Sequence, residues 1–128
     1  MSAGGDGDGF DAEIGLEERA VGDGRAEIAL VAGPRHLNPA GVVHGGAIAT
    51  LVDVAMGKAV ASLIDDDERP VTIEMKVNYL EPGRPGLLVA TAEVRRRGRL
   101  FTVVQAEVTQ DEDGGSVAES MGTFTSVG

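Results

Sequence analysis

The run Asn38-Pro39-Ala40-Gly41-Val42-Val43-His44-Gly45-Gly46, leading at once into Ala47-Ile48-Ala49-Thr50-Leu51-Val52-Asp53, decides how this chain folds. Proline, asparagine and glycine make its first part a tight loop. Beyond it the period changes. From Gly45 to Ile64, the residues Ile48, Leu51, Val52, Ala55, Met56, Ala59, Val60 and Leu63 recur at steps of three and four, the spacing of one helical face. No proline interrupts the run, so one helix of about five turns follows at ~3.6 residues per turn. Asp65-Asp66-Asp67-Glu68-Arg69-Pro70 ends it as a solvated turn. The helix carries a single acid, Asp53, between Val52 and Val54. It also has a second side of small residues, Gly46, Ala49, Thr50, Asp53 and Gly57. That is more apolar surface than one sheet face can use, and it implies an oligomer with something bound beside the small side.

Outward from the helix the period is two. Upstream, Phe10–Val21 and Arg25–Val31 alternate loosely around Gly22-Asp23-Gly24, an Asp-Gly hairpin signal. Downstream, Val71, Ile73, Met75, Val77 and Tyr79 are expected on one face of a strand, with Thr72, Glu74, Lys76 and Asn78 on the other. After Pro82-Gly83-Arg84-Pro85-Gly86, three more strands are expected over Leu87–Arg96, Leu100–Gln110 and Ser116–Val127. Their separators are Arg97-Gly98 and Asp111-Glu112-Asp113-Gly114-Gly115. The order is β-β-α-β-β-β-β: one helix packed on an antiparallel sheet, an α+β arrangement. Residues 10–128 read as a single domain, and Met1–Gly9, rich in Gly and Asp, as a disordered tail.

Composition narrows the partners. The 128 residues carry a net charge of −10, 21 acids against 11 bases, and only Lys58 and Lys76 are lysines. Such a field disfavours nucleic acid and anionic membranes unless basic charge is concentrated locally. Aromatic residues make up 3% of the chain, too few for a base-stacking platform. No apolar run approaches the ~20 residues of a membrane span. Cysteine is absent, which excludes disulfides and thiolate chemistry. His36 and His44, eight apart, do not have the spacing of metal ligands, so no metal site is expected. A cytoplasmic protein is the default expectation. The acidic, lysine-poor balance suits either a high-salt cytoplasm or an Arg-rich protein from a GC-rich genome.

The spacing Asn38-x5-His44-Gly45-Gly46-x6-Asp53, with Asn78-Tyr79-Leu80-Glu81-Pro82 downstream, resembles the hotdog-fold acyl-CoA thioesterases of the phenylacetate-degradation type. The likeness runs from about Phe10 to Ser126. It implies a long central helix wrapped by a curved antiparallel sheet, and two or four protomers with active sites at the dimer interface. It implies hydrolysis of an aryl- or medium-chain acyl-CoA. Coenzyme A would be part of the substrate, and no separate cofactor would be needed. By resemblance, the Gly45 N–H is the oxyanion donor, and Asp53 is nucleophile or general base, reaching toward the partner's Gly45. Asn38 and His44 would hold the thioester, Gly46 would line the site, and Thr72 would position the lytic water.

Physical chemistry supports these roles while leaving plainer ones open. A helix N-terminus presents unpaired N–H groups and about half a positive charge, and such donors contribute roughly 10²–10³ each in acyl transfer. Yet Gly45-Gly46 could serve only a tight turn, Asp53 could be an interface acid, and Asn38 could be an Asx turn former. His44 could be a helix cap. Thr72 can help only if the face turned away from the core meets a partner. His36 is expected to make a structural hydrogen bond. Arg84, Arg95, Arg96, Arg97 and Arg99 suit the phosphates of coenzyme A, or they guard a hairpin edge. A non-catalytic acyl-CoA binder on the same fold is the alternative function. A dehydratase is disfavoured because Gly45–Ile64 contains no histidine.

Overall fold

The computed structural model describes residues 9–110 and 115–128. The expected tail lies outside them except for Gly9, and so does most of the Asp111–Gly115 turn. The elements run α1 (Phe10–Ile14), β1 (Leu16–Gly22), β2 (Arg25–Ala32), a 3₁₀ turn (Pro34–His36), α2 (Gly45–Ala61), β3 (Arg69–Tyr79), β4 (Gly86–Arg97), β5 (Thr102–Gln110) and β6 (Gly115–Val127). All six strands join one antiparallel sheet, ordered β1-β2-β4-β5-β6-β3. Every strand also touches α2, as a sheet curved around a central helix requires. This is the hotdog arrangement.

The apolar stripe of α2 forms the core. Ile48, Leu51, Val52, Ala55, Met56, Ala59 and Val60 are buried against Ile28, Leu30, Leu88, Val104, Val108 and Phe124. Gly46, on the small-residue side, is exposed, and Ala49, Thr50, Asp53 and Gly57 are half-buried. The helix stops at Ala61, short of the expected Ile64. There the Ser62 hydroxyl donates to the Ala59 carbonyl (2.7 Å) and accepts from the Gly24 N–H (2.8 Å). Gly24 belongs to the β1–β2 turn, where Asp23 and Gly24 both have positive φ, 54° and 77°, the conformation an Asp-Gly hairpin turn needs.

Two expectations need correction. Phe10–Ile14 is a helical turn, not the start of a strand. Gly15, at φ 87°, closes it by donating its N–H to the Asp11 and Ala12 carbonyls, a left-handed stop that glycine adopts at low cost. The second correction is in β3. Its pairing with β6 shifts between Thr72 and Glu74, leaving Ile73 as an extra residue. A bulge of this kind reverses the alternation on one side of it. Thr72 therefore stands opposite the buried Phe124, on the helix side of the sheet. Val71 and Ile73, expected in the core, are exposed.

Candidate active site

The loop before α2 is held from three sides. Its Asn38 carbonyl oxygen Oδ1 accepts from the N–H of Ala40 (2.9 Å) and Val42 (3.4 Å). This Asx turn uses the acceptor end of the side chain, and among the described residues the Asn38 amide nitrogen meets no acceptor. His36 is buried, with both ring nitrogens engaged. Nδ1 accepts from the Gly33 N–H (3.0 Å) and Nε2 bonds the Ile14 carbonyl (2.7 Å). Its backbone carbonyl takes the His44 N–H at 2.7 Å. From the β3–β4 connection, the Gly83 carbonyl accepts the Val43 N–H at 2.8 Å.

At the helix start, His44 is the N-cap. Its Nδ1 accepts from the Gly46 N–H at 2.8 Å, and its carbonyl accepts from Ala47 (2.9 Å) and Ile48 (3.2 Å). Among the described residues, that leaves the Gly45 N–H as the one donor of the first turn without an acceptor. It is a fixed dipole at the positive end of a 17-residue helix. With Nδ1 an acceptor, neutral His44 carries its proton on Nε2. Neither glycine is present for its φ, because neither has a positive one. Space is tight at Gly46, where a Cβ would lie 3.1 Å from His44 Nδ1; at Gly45 a Cβ would make ordinary contact, 3.4 Å from the Tyr79 ring and hydroxyl.

Two turns along α2, the Thr72 hydroxyl donates to Asp53 Oδ1 at 2.6 Å. The bulge at Ile73 makes this contact possible. Asp53 is half-buried, and among the described residues its Oδ2 has no donor. Asp53 lies eight residues after Gly45, about 12 Å along the axis at ~1.5 Å per residue. The two cannot serve one carbonyl from the same helix.

The arginines do not form one patch. Arg97 and Arg99 line a cleft with Val60, Ile64, Glu68 and Ser126 at the C-terminal end of α2. Arg95 instead pairs with Glu93 at 3.3 Å, beside the Arg25–Glu93 contact of 2.6 Å. Arg84 sits near the other end of the helix, its backbone N–H and carbonyl held by the Gln110 side chain at 2.9 and 2.7 Å. Among the described residues, no three His, Asp or Glu side chains converge as metal ligands. No helix there is long and apolar enough to cross a membrane.

Residues 40–117 match the Thioesterase superfamily family model, a span that contains the helix start, Asp53 and Thr72. The chain belongs to this family. It is thus a thioester hydrolase by family. Among its relatives, a 1,4-dihydroxy-2-naphthoyl-CoA hydrolase of Listeria monocytogenes is 30% identical over 82% of this chain and 85% of that protein. The medium/long-chain acyl-CoA thioesterase YigI of Salmonella typhimurium is 29% identical over 90% of this chain and 83% of its own. Among solved structures, the conserved protein PA5202 from Pseudomonas aeruginosa is 38% identical with a TM-score of 0.87, covering 92% of this chain and 93% of that one. A phenylacetic acid degradation-related protein from Ralstonia eutropha is 31% identical with a TM-score of 0.82, covering 90% and 87%. The likeness to phenylacetate-type thioesterases therefore extends over the whole hydrolase fold. The residue that the sequence reading left without a role is Tyr79, whose hydroxyl donates to the Gly45 carbonyl at 2.8 Å. The only signal for it was its place as the chain's single tyrosine, in the Asn78–Pro82 segment.

Proposed function

We propose that this chain hydrolyses aryl- or medium-chain acyl-CoA thioesters in the cytoplasm, at sites shared by two copies. The observation that carries the reading is a free Gly45 N–H at the helix start, with a Thr72-anchored Asp53 further along the same half-exposed side. The thioester oxygen would sit against the Gly45 N–H, where developing charge is stabilised. The other copy's Asp53 would attack the carbonyl carbon or take a proton from the attacking water. The C–S bond then breaks and the sulfur takes up a proton, from Asp53 on the water route or from solvent on the direct route, so coenzyme A leaves as its thiol. On the direct route water then cleaves the acyl–Asp53 anhydride to the free acid. Asn38 Nδ2 and His44 Nε2–H are donors on the same loop that can hold the thioester. Gly46 keeps the loop open, and Arg84, Arg95, Arg97 and Arg99 are the candidates for the coenzyme A phosphates. The reaction so drawn calls on no cofactor.

The second copy follows from β3. It is an outer strand of the sheet, and an unpaired edge is a template for another strand. Thr72 and Tyr79 face the helix side six ladder steps apart, opposite Phe124 and Ala118 of β6. Antiparallel pairing of β3 with its own copy, centred on Lys76, would set Thr72 opposite the partner's Tyr79. It would also set Met75 opposite the partner's Val77. Asp53 would then lie about one strand spacing, ~4.8 Å, from the level of the partner's Gly45. Chemistry and edge pairing thus call for the same assembly.

The test is free-thiol release from a panel of acyl-CoAs. Asp53→Ala and Asp53→Asn should each lose about 10²–10⁴-fold in kcat. Activity retained in both variants removes Asp53 from the mechanism. Acyl-CoA binding by the wild type without thiol release would establish the non-catalytic binder instead.

A further inference from the structure

We infer that Tyr79 is a positioning residue that locks the peptide beside the oxyanion donor. This rests on the thioesterase reading of Gly45. The peptide unit joining Gly45 to Gly46 is gripped at both ends. Its carbonyl accepts the Tyr79 hydroxyl at 2.8 Å, and its N–H donates to His44 Nδ1 at 2.8 Å. That unit shares the Gly45 Cα with the preceding peptide, whose N–H is the free donor. Fixing one plane limits rotation about the Gly45 φ and ψ, which glycine would otherwise leave loose. An oxyanion donor works by being aimed before charge develops, so a first turn containing two consecutive glycines needs such a restraint.

The grip has a second point of support. The N–H of Val43 donates to the Gly83 carbonyl at 2.8 Å, so the end of β3 and the segment after it hold the loop on the two sides of His44. Tyr79 itself is anchored by the β3–β6 ladder, opposite Ala118. Its ring lies over the Gly45 Cα, where a Cβ would stand 3.4 Å from the ring carbon and hydroxyl. The tyrosine thus packs directly against position 45 as well as bonding its carbonyl.

Tyr79→Phe keeps the ring and removes the hydroxyl. One neutral hydrogen bond is worth a factor of about three to ten. The variant should lose about that much in kcat on any acyl-CoA the wild type turns over, with KM within about twofold. By NMR, the Gly46 amide should exchange faster while Leu51 in the middle of α2 is unchanged. Unchanged Gly46 exchange, or equal acceleration at Leu51, would overturn the assignment, as would an unaltered kcat. Should the wild type release no thiol from any acyl-CoA, the hydrolase reading fails on its own, and the Gly46 and Leu51 amides still decide whether Tyr79 locks the turn.

Discussion

Thr72 owes its position to the residue after it. Without the extra Ile73, the alternation would turn the hydroxyl away from α2, and Asp53 would have no partner on the sheet. With it, the Thr72 hydroxyl donates to Asp53 Oδ1 at 2.6 Å, which restrains the carboxylate while Oδ2 has no donor among the described residues. This solvent-exposed hydrogen bond is worth about 1–1.5 kcal/mol. Thr72→Val should therefore lower kcat by about tenfold while the melting temperature stays within a few degrees, as thiol release and thermal unfolding would show. A full-rate Thr72→Val enzyme would mean the hydroxyl neither orients Asp53 nor holds water. The two histidines divide along the same lines. His36 spends both nitrogens on structure, whereas His44 spends one and, among the described residues, its Nε2 has no partner.

The elements show where pattern suffices and where it fails. The steps of three and four in α2 yielded its buried face except at the two ends, because burial against one sheet enforces that period. Ala47 is buried though not in the expected stripe, and Leu63, expected in it, lies half-buried beyond the helix. The bulge in β3 has no such signature, since Val71-Thr72-Ile73-Glu74 alternates as a regular strand does. Pairing with β6 decides it. The open face of the sheet also carries an electrostatic conflict. Glu107 and Glu119 are directly opposite on β5 and β6, both exposed, and like charges so placed destabilise a sheet. Glu119→Gln should raise stability by a few tenths to about 1 kcal/mol in low salt. The gain should shrink as salt screens the pair. Urea midpoints at two ionic strengths measure it; a Glu119→Gln protein less stable than wild type at low salt would refute the conflict.

At the scale of the whole molecule, the exposed β3 edge and the 12 Å offset within α2 (about 1.5 Å per residue) are the same problem seen twice. The proposed second copy would solve both. Centring the pairing on Lys76 predicts a specific cross-link, readable because the chain has no cysteine. Residues directly opposite in an antiparallel pair have Cα atoms about 4.5–5.5 Å apart, within disulfide range. Lys76→Cys should oxidise to a covalent dimer on a non-reducing gel. Asn78→Cys, offset from its copy by about 14 Å along the strands, should not. The reverse result would exclude this register. The arginines belong to this scale too. Arg84, between β3 and β4, lies near one end of α2, Arg97 and Arg99 share a cleft at the other, and Arg95 pairs with Glu93, so within one copy these arginines do not form one patch.

Local rules alone determined the long helix, the strands around it, the Asp-Gly turn and the motif that names the family. The helix and strands follow from short-range periods, and the turn from a left-handed backbone that an Asp-Gly pair adopts at low cost. Tertiary structure decided the rest: the helical turn before β1, the face Thr72 shows, the Gly45 N–H left without an acceptor among the described residues, and the Tyr79 hydroxyl on the Gly45 carbonyl. Those depend on hydrogen bonds between residues far apart in the chain, and on a one-residue slip in a ladder whose partner strand begins more than forty residues later.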